Sequence, residues 1–343
     1  MKKMIFILTG IFLSLIGING QNATIEYKIV QKIQIPGDGF WDYLNADDAT
    51  GMLYVSHGKM VNVVDLKTGA NVATITDVNG VHGIAIAAEL NKGFISNGAD
   101  SNVTVFNTKD FKVIEKVPVT GRNPDAILFE PFTKTIITWN GRSSNATVID
   151  AKTDKVIQTI ALAGKPEAAV SDGKGKVFVN IEDKSEVCMI NVKTWKVEQT
   201  WSIAPGEGPS GLALDNENHR LFSATDKLMV VLDSETGKIV ATIPTGGRVD
   251  GAGFDPGLKR AYSSCGEGVL TVVQEENPNS FKVLANVPTQ AGARTISVSA
   301  STHRIYLPTA EFGPTPEKTA DNPRPRPTVK PGTFTVLVVE PVK

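Results

Sequence analysis

The stretch Val61–Thr74, VNVVDLKTGANVAT, is nearly repeated at Met229–Thr242 as MVVLDSETGKIVAT. An acidic or amide residue precedes each threonine-bearing turn and marks a period. It falls at Asp65, Asn107, Asp150, Asn191 and Asp233, with Gln274 as a weaker copy, in steps of 41–43 residues. A seventh copy, FTVLVVEP, puts Glu340 at the same place, one period plus roughly 24 residues further on. The surplus is the proline-rich segment Ala310–Thr333. A steady period of about 40–45 residues, with room for four short strands, is that of a propeller blade. Seven such units predict a single all-β domain over residues 21–343, a seven-bladed β-propeller of four-stranded antiparallel blades. No long 3.6-period apolar stripe appears, so almost no helix is expected.

Each unit divides into four strands. In the third, strand a is Asp125–Phe129, b is Thr135–Trp139, c is Asn145–Asp150 and d is Lys155–Leu162. Strands c and d alternate apolar and polar residues, as half-buried strands do. Strand a favours small residues (AAV in blade four, GLAL in five, GAGF in six), as crowding at a common axis demands. Asp65, Asp150 and Asp233 then end strand c. Their carboxylates accept hydrogen bonds from backbone N–H groups two and three residues on, and Gly69 and Gly237 supply the positive φ of the hairpin. These are turn-makers, because a catalytic group is not needed once per blade. The seventh unit lacks a strand d. Tyr27–Gly37, YKIVQKIQIPG, matches Phe111–Gly121, FKVIEKVPVTG, position for position. Residues 27–35 are therefore expected to complete the last blade and close the ring.

The first residues differ in kind. Lys2 and Lys3 precede an apolar run from Met4 to Ile18 that is short for a membrane span and ends in small or polar residues. Residues 1–20 read as a signal peptide cleaved near Gly20 or Ala23, which implies a periplasmic or secreted protein with no membrane span after cleavage. An uncleaved anchor is the alternative. Loss of both lysines takes the net charge from −1 to about −3, which offers no global attraction to nucleic acid or anionic membrane.

The unit Leu53–Ile75, LYVSHGKMVNVVDLKTGANVATI, resembles the YVTN-type propeller repeat, and residues 25–343 resemble the YncE-like secreted or periplasmic propellers of bacteria. The resemblance is carried by the strand-b motifs LYVS, GFIS, VFVN, LFSA, AYSS and IYLP, and by the V-x-V-x-D-x-x-T-G hairpin. Blade six departs from it, with VVQEENPNSFKV in place of the Thr-Gly turn. The resemblance implies a binding module. One branch is associated with single-stranded DNA, and related seven-bladed folds include lactonases and subunits of periplasmic redox enzymes.

Function has to come from a site rather than from the fold. Strand a begins on the face that also carries the b–c connections, here termed the top. Aligned units place Asp42, Gly83, Asp125, Glu167, Ser210, Asp250 and Arg294 at one position around the channel mouth. Trp41 and His82 directly precede it, and Arg122, Lys165 and Arg248 lie just before. His57, Asn97, Trp139, Glu182, Thr225 and Cys265 come from the b–c side. Opposite charges two or three residues apart (Arg122 with Asp125, Lys165 with Glu167, Arg248 with Asp250) suit either a structural ring of ion pairs or a polar ligand site. The candidate ligand-binding set is Trp41, Asp42, His57, His82, Asn97, Arg122, Asp125, Trp139, Glu167, Arg248, Asp250 and Arg294. No catalytic residue is assigned.

Other signals are weak. His219 and His303 fall in a–b turns on the bottom face, and Cys188 and Cys265 lie in blades that are not neighbours, so no disulfide is expected. There is no glycine-rich phosphate loop, nucleophile elbow, haem-attachment motif or ligand-spaced His/Cys cluster, so neither cofactor nor metal is expected. The Ala310–Thr333 insertion loop carries six prolines together with Lys318, Arg324, Arg326 and Lys330. It is either a mobile loop or a lid or partner-docking segment over the mouth. Single-stranded DNA needs a basic groove with stacking rings; Phe40, Trp41, Trp139 and Phe312 offer rings, but the carboxylates oppose it. The reading is a non-catalytic binding or scaffolding propeller that engages an unknown small molecule or protein partner. The alternative is a lactonase-like hydrolase using a top-face carboxylate or His.

Overall fold

The computed structural model describes residues 26–319, 323 and 325–342. The expected signal peptide, residues 1–20, and Arg324 lie outside the described residues. Seven four-stranded antiparallel sheets are arranged as a β-propeller, and among the described residues the helical content is two single turns, Ala88–Leu90 and Glu182–Lys184. In blade three the strands run Pro124–Glu130, Thr135–Asn140, Asn145–Asp150 and Lys155–Ala161, in sheet order a-b-c-d. Among the described residues no helix is long and apolar enough to cross a membrane.

The hairpin chemistry is that of the repeat. Asp65 Oδ1 accepts the Lys67 N–H at 3.0 Å, the Thr68 N–H at 2.7 Å and the Thr68 hydroxyl at 2.9 Å. Asp150 and Asp233 each hold the same three bonds at 2.7–3.1 Å. Gly69 and Gly237 have φ of 74° and 73°, and Phe111, Asp154 and Trp195 take the same left-handed conformation at the equivalent position of the other blades. Glycine is thus convenient there rather than required: the hairpin bonds outweigh roughly 1–2 kcal/mol of left-handed strain.

Burial departs from the expected alternation in strand c. In blade three every residue of strand b is buried, the middle four of strand c are buried, and strand d buries Ile160 alone. Adjacent blades cover both faces of b and c, whereas d forms the outer rim. Seven apolar clusters fill the spaces between blades. At the axis the crowding is severe: a Cβ on Gly211 would lie 2.4 Å from the Ala252 backbone nitrogen of the next blade.

The ring closes as the sequence predicts. Glu26–Gln34 pairs antiparallel with Thr335–Val342, from Glu26 opposite Val342 to Gln34 opposite Thr335. Tyr27 reaches into blade six, where its hydroxyl accepts from Arg260 at 2.7 Å and lies 3.2 Å from the Tyr262 hydroxyl. Cys188 and Cys265 are unbridged and buried.

The loop Ala310–Thr333 connects strands b and c of blade seven. Its ends form a short antiparallel stem: Phe312 bridges Val329, Gly313 N–H donates to Thr328 O at 2.8 Å, and Lys330 Nζ pairs with Glu311 at 3.0 Å. The stem stands beside the channel mouth, with Phe312 against Trp41 at 5.8 Å between ring centres.

Candidate functional site: the channel mouth

Strand a delivers one residue per blade to the top of the channel, and six of the seven blades carry a charge there or one residue before. Asp42 is held by two backbone contacts: its N–H donates to Ser56 Oγ at 2.8 Å, and its carbonyl accepts the Thr295 hydroxyl at 2.6 Å. Its carboxylate then faces two cations. His82 Nδ1 lies 2.6 Å from Asp42 Oδ2 and 3.4 Å from Asp125 Oδ1. Arg294 reaches Asp42 Oδ1 at 3.3 Å, the Trp41 carbonyl at 3.0 Å and the Asp250 carboxylate. Lys165 pairs with Glu167 at 2.5 Å and with Glu182. Opposite charges alternate from Asp125 of blade three through His82, Asp42 and Arg294 to Asp250 of blade six, whereas Glu167 of blade four, paired with its own Lys165, meets Asp125 with like charge. Blade five carries Ser210 instead, whose hydroxyl donates to Val249 O at 3.0 Å.

Four buried or half-buried carboxylates in so small a space cannot all ionise freely. Burial, with the Asp42 and Asp250 charges and against His82 and Lys165, pushes Asp125 up to about 6. Burial and the Asp125 charge push Glu167 up to about 8, although Lys165 approaches it from the solvent side. Burial also raises Asp250 against the pull of Arg294. For His82 burial opposes the charged ring, but Asp42 and Asp125 outweigh it and lift its pKa. Tyr43 is raised well above the usual phenol value by burial and by the same carboxylates, and stays protonated.

These groups open on a cavity of about 580 Å³, within the usual range for small-molecule sites. Of the candidates named from the sequence, Trp41, Asp42, His82, Asp125, Glu167, Arg248, Asp250 and Arg294 line it. Tyr43, Ala291 and Gly292 also line it and are not among the residues expected from the sequence, while Phe40, Phe312, Arg326 and Pro327 arrive from the flanking loop and the insert. Asp42, His82 and Asp125 offer donor atoms within 4.8 Å of one another. An imidazole and two carboxylates suit a borderline divalent cation; the Nδ1 donor, however, already serves Asp42, and a protonated His82 neutralises the same pair.

Four predicted residues lie outside this cavity. His57, Asn97 and Trp139 are fully buried. His57 packs on Phe334 at 4.3 Å, its Nδ1 lies 3.2 Å from Asn62 Oδ1, and burial lowers its pKa; it backs a neighbouring groove under the insert. Asn97 donates to Asn102 and Thr104 within its own blade, each at 2.8 Å. The end of strand b lies one layer farther from the axis than strand a, which covers it. Arg122 is exposed and does not line the cavity. Of the three expected loop pairs only Lys165–Glu167 forms: Asp125 meets His82, and Asp250 meets Arg294 of the next blade. Left-handed residues at Asn123 and Arg248 break the extended path that would set the other pairs side by side. On the bottom face His219 is exposed, whereas His303 Nδ1 lies 2.8 Å from the buried Asp255 carboxylate.

No family model and no curated protein matches the sequence. In structure the chain is similar to Kuenenia stuttgartiensis hydrazine synthase, with a TM-score of 0.69 and 15% sequence identity over 77% of this chain and 91% of that one. At that identity the likeness shows the propeller fold alone.

Proposed function

We propose that this chain is an exported, YncE-like propeller acting as a non-catalytic binding module, with a small polar ligand held at the channel mouth. The observation that carries this reading is the prebuilt arc of charged side chains opening on a concave, partly aromatic cavity. Such an arc fixes polar groups before a ligand arrives, which lowers the ordering cost of binding. Against catalysis stands the environment of His82. Its Nδ1 is taken by Asp42, and its Nε2 faces Gly98 so closely that a Cβ there would lie 2.6 Å away. A general base needs a nitrogen open to substrate.

A hydrolase is the second reading, favoured by one observation: carboxyls near 6 and 8 at Asp125 and Glu167 fall in the range useful for proton transfer. The test is native mass spectrometry of protein purified from a bacterial periplasm and then exposed to a cell metabolite extract, on wild type and single variants. Asp42→Ala, Asp125→Ala, Glu167→Ala and Arg294→Ala should keep the fold and bind the retained compound at least about tenfold more weakly, roughly 1.4 kcal/mol. His219→Ala is the bottom-face control and should bind as wild type. Conversion of the retained compound, rather than its recovery intact, would establish the hydrolase instead.

A further inference from the structure

The cavity is electrically two-sided, and its two sides differ in how well they are satisfied. Arg294 is held by Asp250, Asp42 and the Trp41 carbonyl. Arg248 and Arg326 also line the cavity, yet among the described residues neither guanidinium has an ion-pair or hydrogen-bond partner. Both residues are exposed, and an unpaired guanidinium fork at the rim of a concave surface can receive a carboxylate. On the other side Asp125 has only His82 at 3.4 Å, and Glu167 has only Lys165, which is itself shared with Glu182. Burial and mutual repulsion hold both carboxyls above their ordinary values, so this side is short of cation. The remaining wall is apolar. Trp41 is stacked on Phe334 at 5.1 Å and tilted against Phe312 at 5.8 Å, and Phe40 is 52% exposed beside it.

We infer that the cavity takes a small zwitterion with an apolar body: a free ammonium toward Asp125 and Glu167, a free carboxylate toward Arg248 and Arg326, and the apolar part on Phe40, Trp41 and Phe312. That is the chemistry of an apolar amino acid or of a di- or tripeptide with both ends free, and about 580 Å³ accommodates the peptide. A bare metal ion would use Asp42, His82 and Asp125 but leave the arginines and the aromatic wall idle. A polyanion would meet the carboxylates. A zwitterion alone engages all three parts, and placing its ammonium on the acid side stabilises the ionised carboxylates already crowded there.

This inference rests on the mouth being a ligand site, and the experiment separates the two. Isothermal titration at pH 7, on protein treated with EDTA, would use L-phenylalanine, the dipeptide Leu-Phe, N-acetyl-Leu-Phe and Leu-Phe amide. Leu-Phe or L-phenylalanine should bind, and either cap should weaken Leu-Phe at least about tenfold. Glu167→Gln should erase the preference for the free amine and keep that for the free carboxylate; Arg326→Gln, at an exposed residue that leaves the fold intact, should do the reverse. Equal affinity for capped and uncapped peptides, failure of both free compounds to bind at millimolar concentration, or binding that appears only with added zinc would each overturn the inference. If these probes fail while another retained compound is lost on Asp125→Ala, the zwitterion falls and the mouth site stands. If no compound responds to any mouth substitution, both fall.

Discussion

Glu167 carries the sharpest electrostatic conflict at the mouth, and its consequence is a pH dependence of known sign. Its carboxyl, that of Asp125 and the His82 ring all have folded-state pKa values raised above their unfolded ones. Each contributes stability that is complete below its unfolded value and is lost as pH rises through its folded value. For the two carboxyls that window runs from about pH 4 to about 8. The turn aspartates Asp150 and Asp233 have lowered values, so their contribution is lost only as pH falls below the ordinary carboxylate range. The urea midpoint of the wild type is therefore expected to fall between pH 5 and 8.5, and Glu167→Gln, which cannot ionise, should flatten that fall. Identical slopes for the two proteins, read by far-UV circular dichroism, would show that Glu167 is not under strain.

At the scale of elements, closure by Glu26–Gln34 matters more than any single hairpin. Its Tyr27 and Ile33, together with Ile35 just beyond it, are buried in the clusters on either side of blade seven. Removing residues 26–35 deletes those side chains, exposes the apolar residues packed against them and leaves Thr335–Val342 as an open edge. The loss is expected to be on the order of 5 kcal/mol from burial alone, seen as a lower and broader urea transition. A truncated protein with unchanged midpoint and slope would mean that the ring does not depend on this strand. The blade-seven insert is the other element that sets the site apart. It stands where the other blades have a short b–c turn and brings Phe312 and Arg326 to the cavity, so the mouth is walled by one blade more than by the rest.

For the whole molecule, propeller symmetry separates scaffold from site. Burial between blades repeats seven times and tolerates a generic sequence, whereas the axis is shared by all blades and lets side chains far apart in the chain converge. Asp42 and Arg294 meet across 252 residues of sequence for this reason. The proposed export is tested at the same scale. Protein recovered from a bacterial host should begin at or near Gln21 or Thr24 by intact-mass measurement, with the ring complete from Glu26 onward. Met1 retained on soluble cytoplasmic protein would refute it.

The period, the blade count, the turn aspartates and the exchanged strand were all legible in the sequence, because each rests on local hydrogen bonding or strand periodicity that one repeat shares with the next. Much of the mouth was legible too, wherever a blade broke its own pattern. Trp41 and His82 stand where three other blades have Pro124, Pro166 and Pro209, and Tyr43 stands where they have Ala126, Ala168 and Gly211; that last signal was present and unused. Partner choice was not legible. Sequence proximity suggested Arg122 for Asp125 and Arg248 for Asp250, but the neighbouring blade supplied His82 and Arg294 instead. Depth was not legible either: His57, Asn97 and Trp139 share the top face in sequence terms, yet strand a covers them. Both depend on distances between blades, which are set by how seven sheets pack around one axis and not by spacing along the chain.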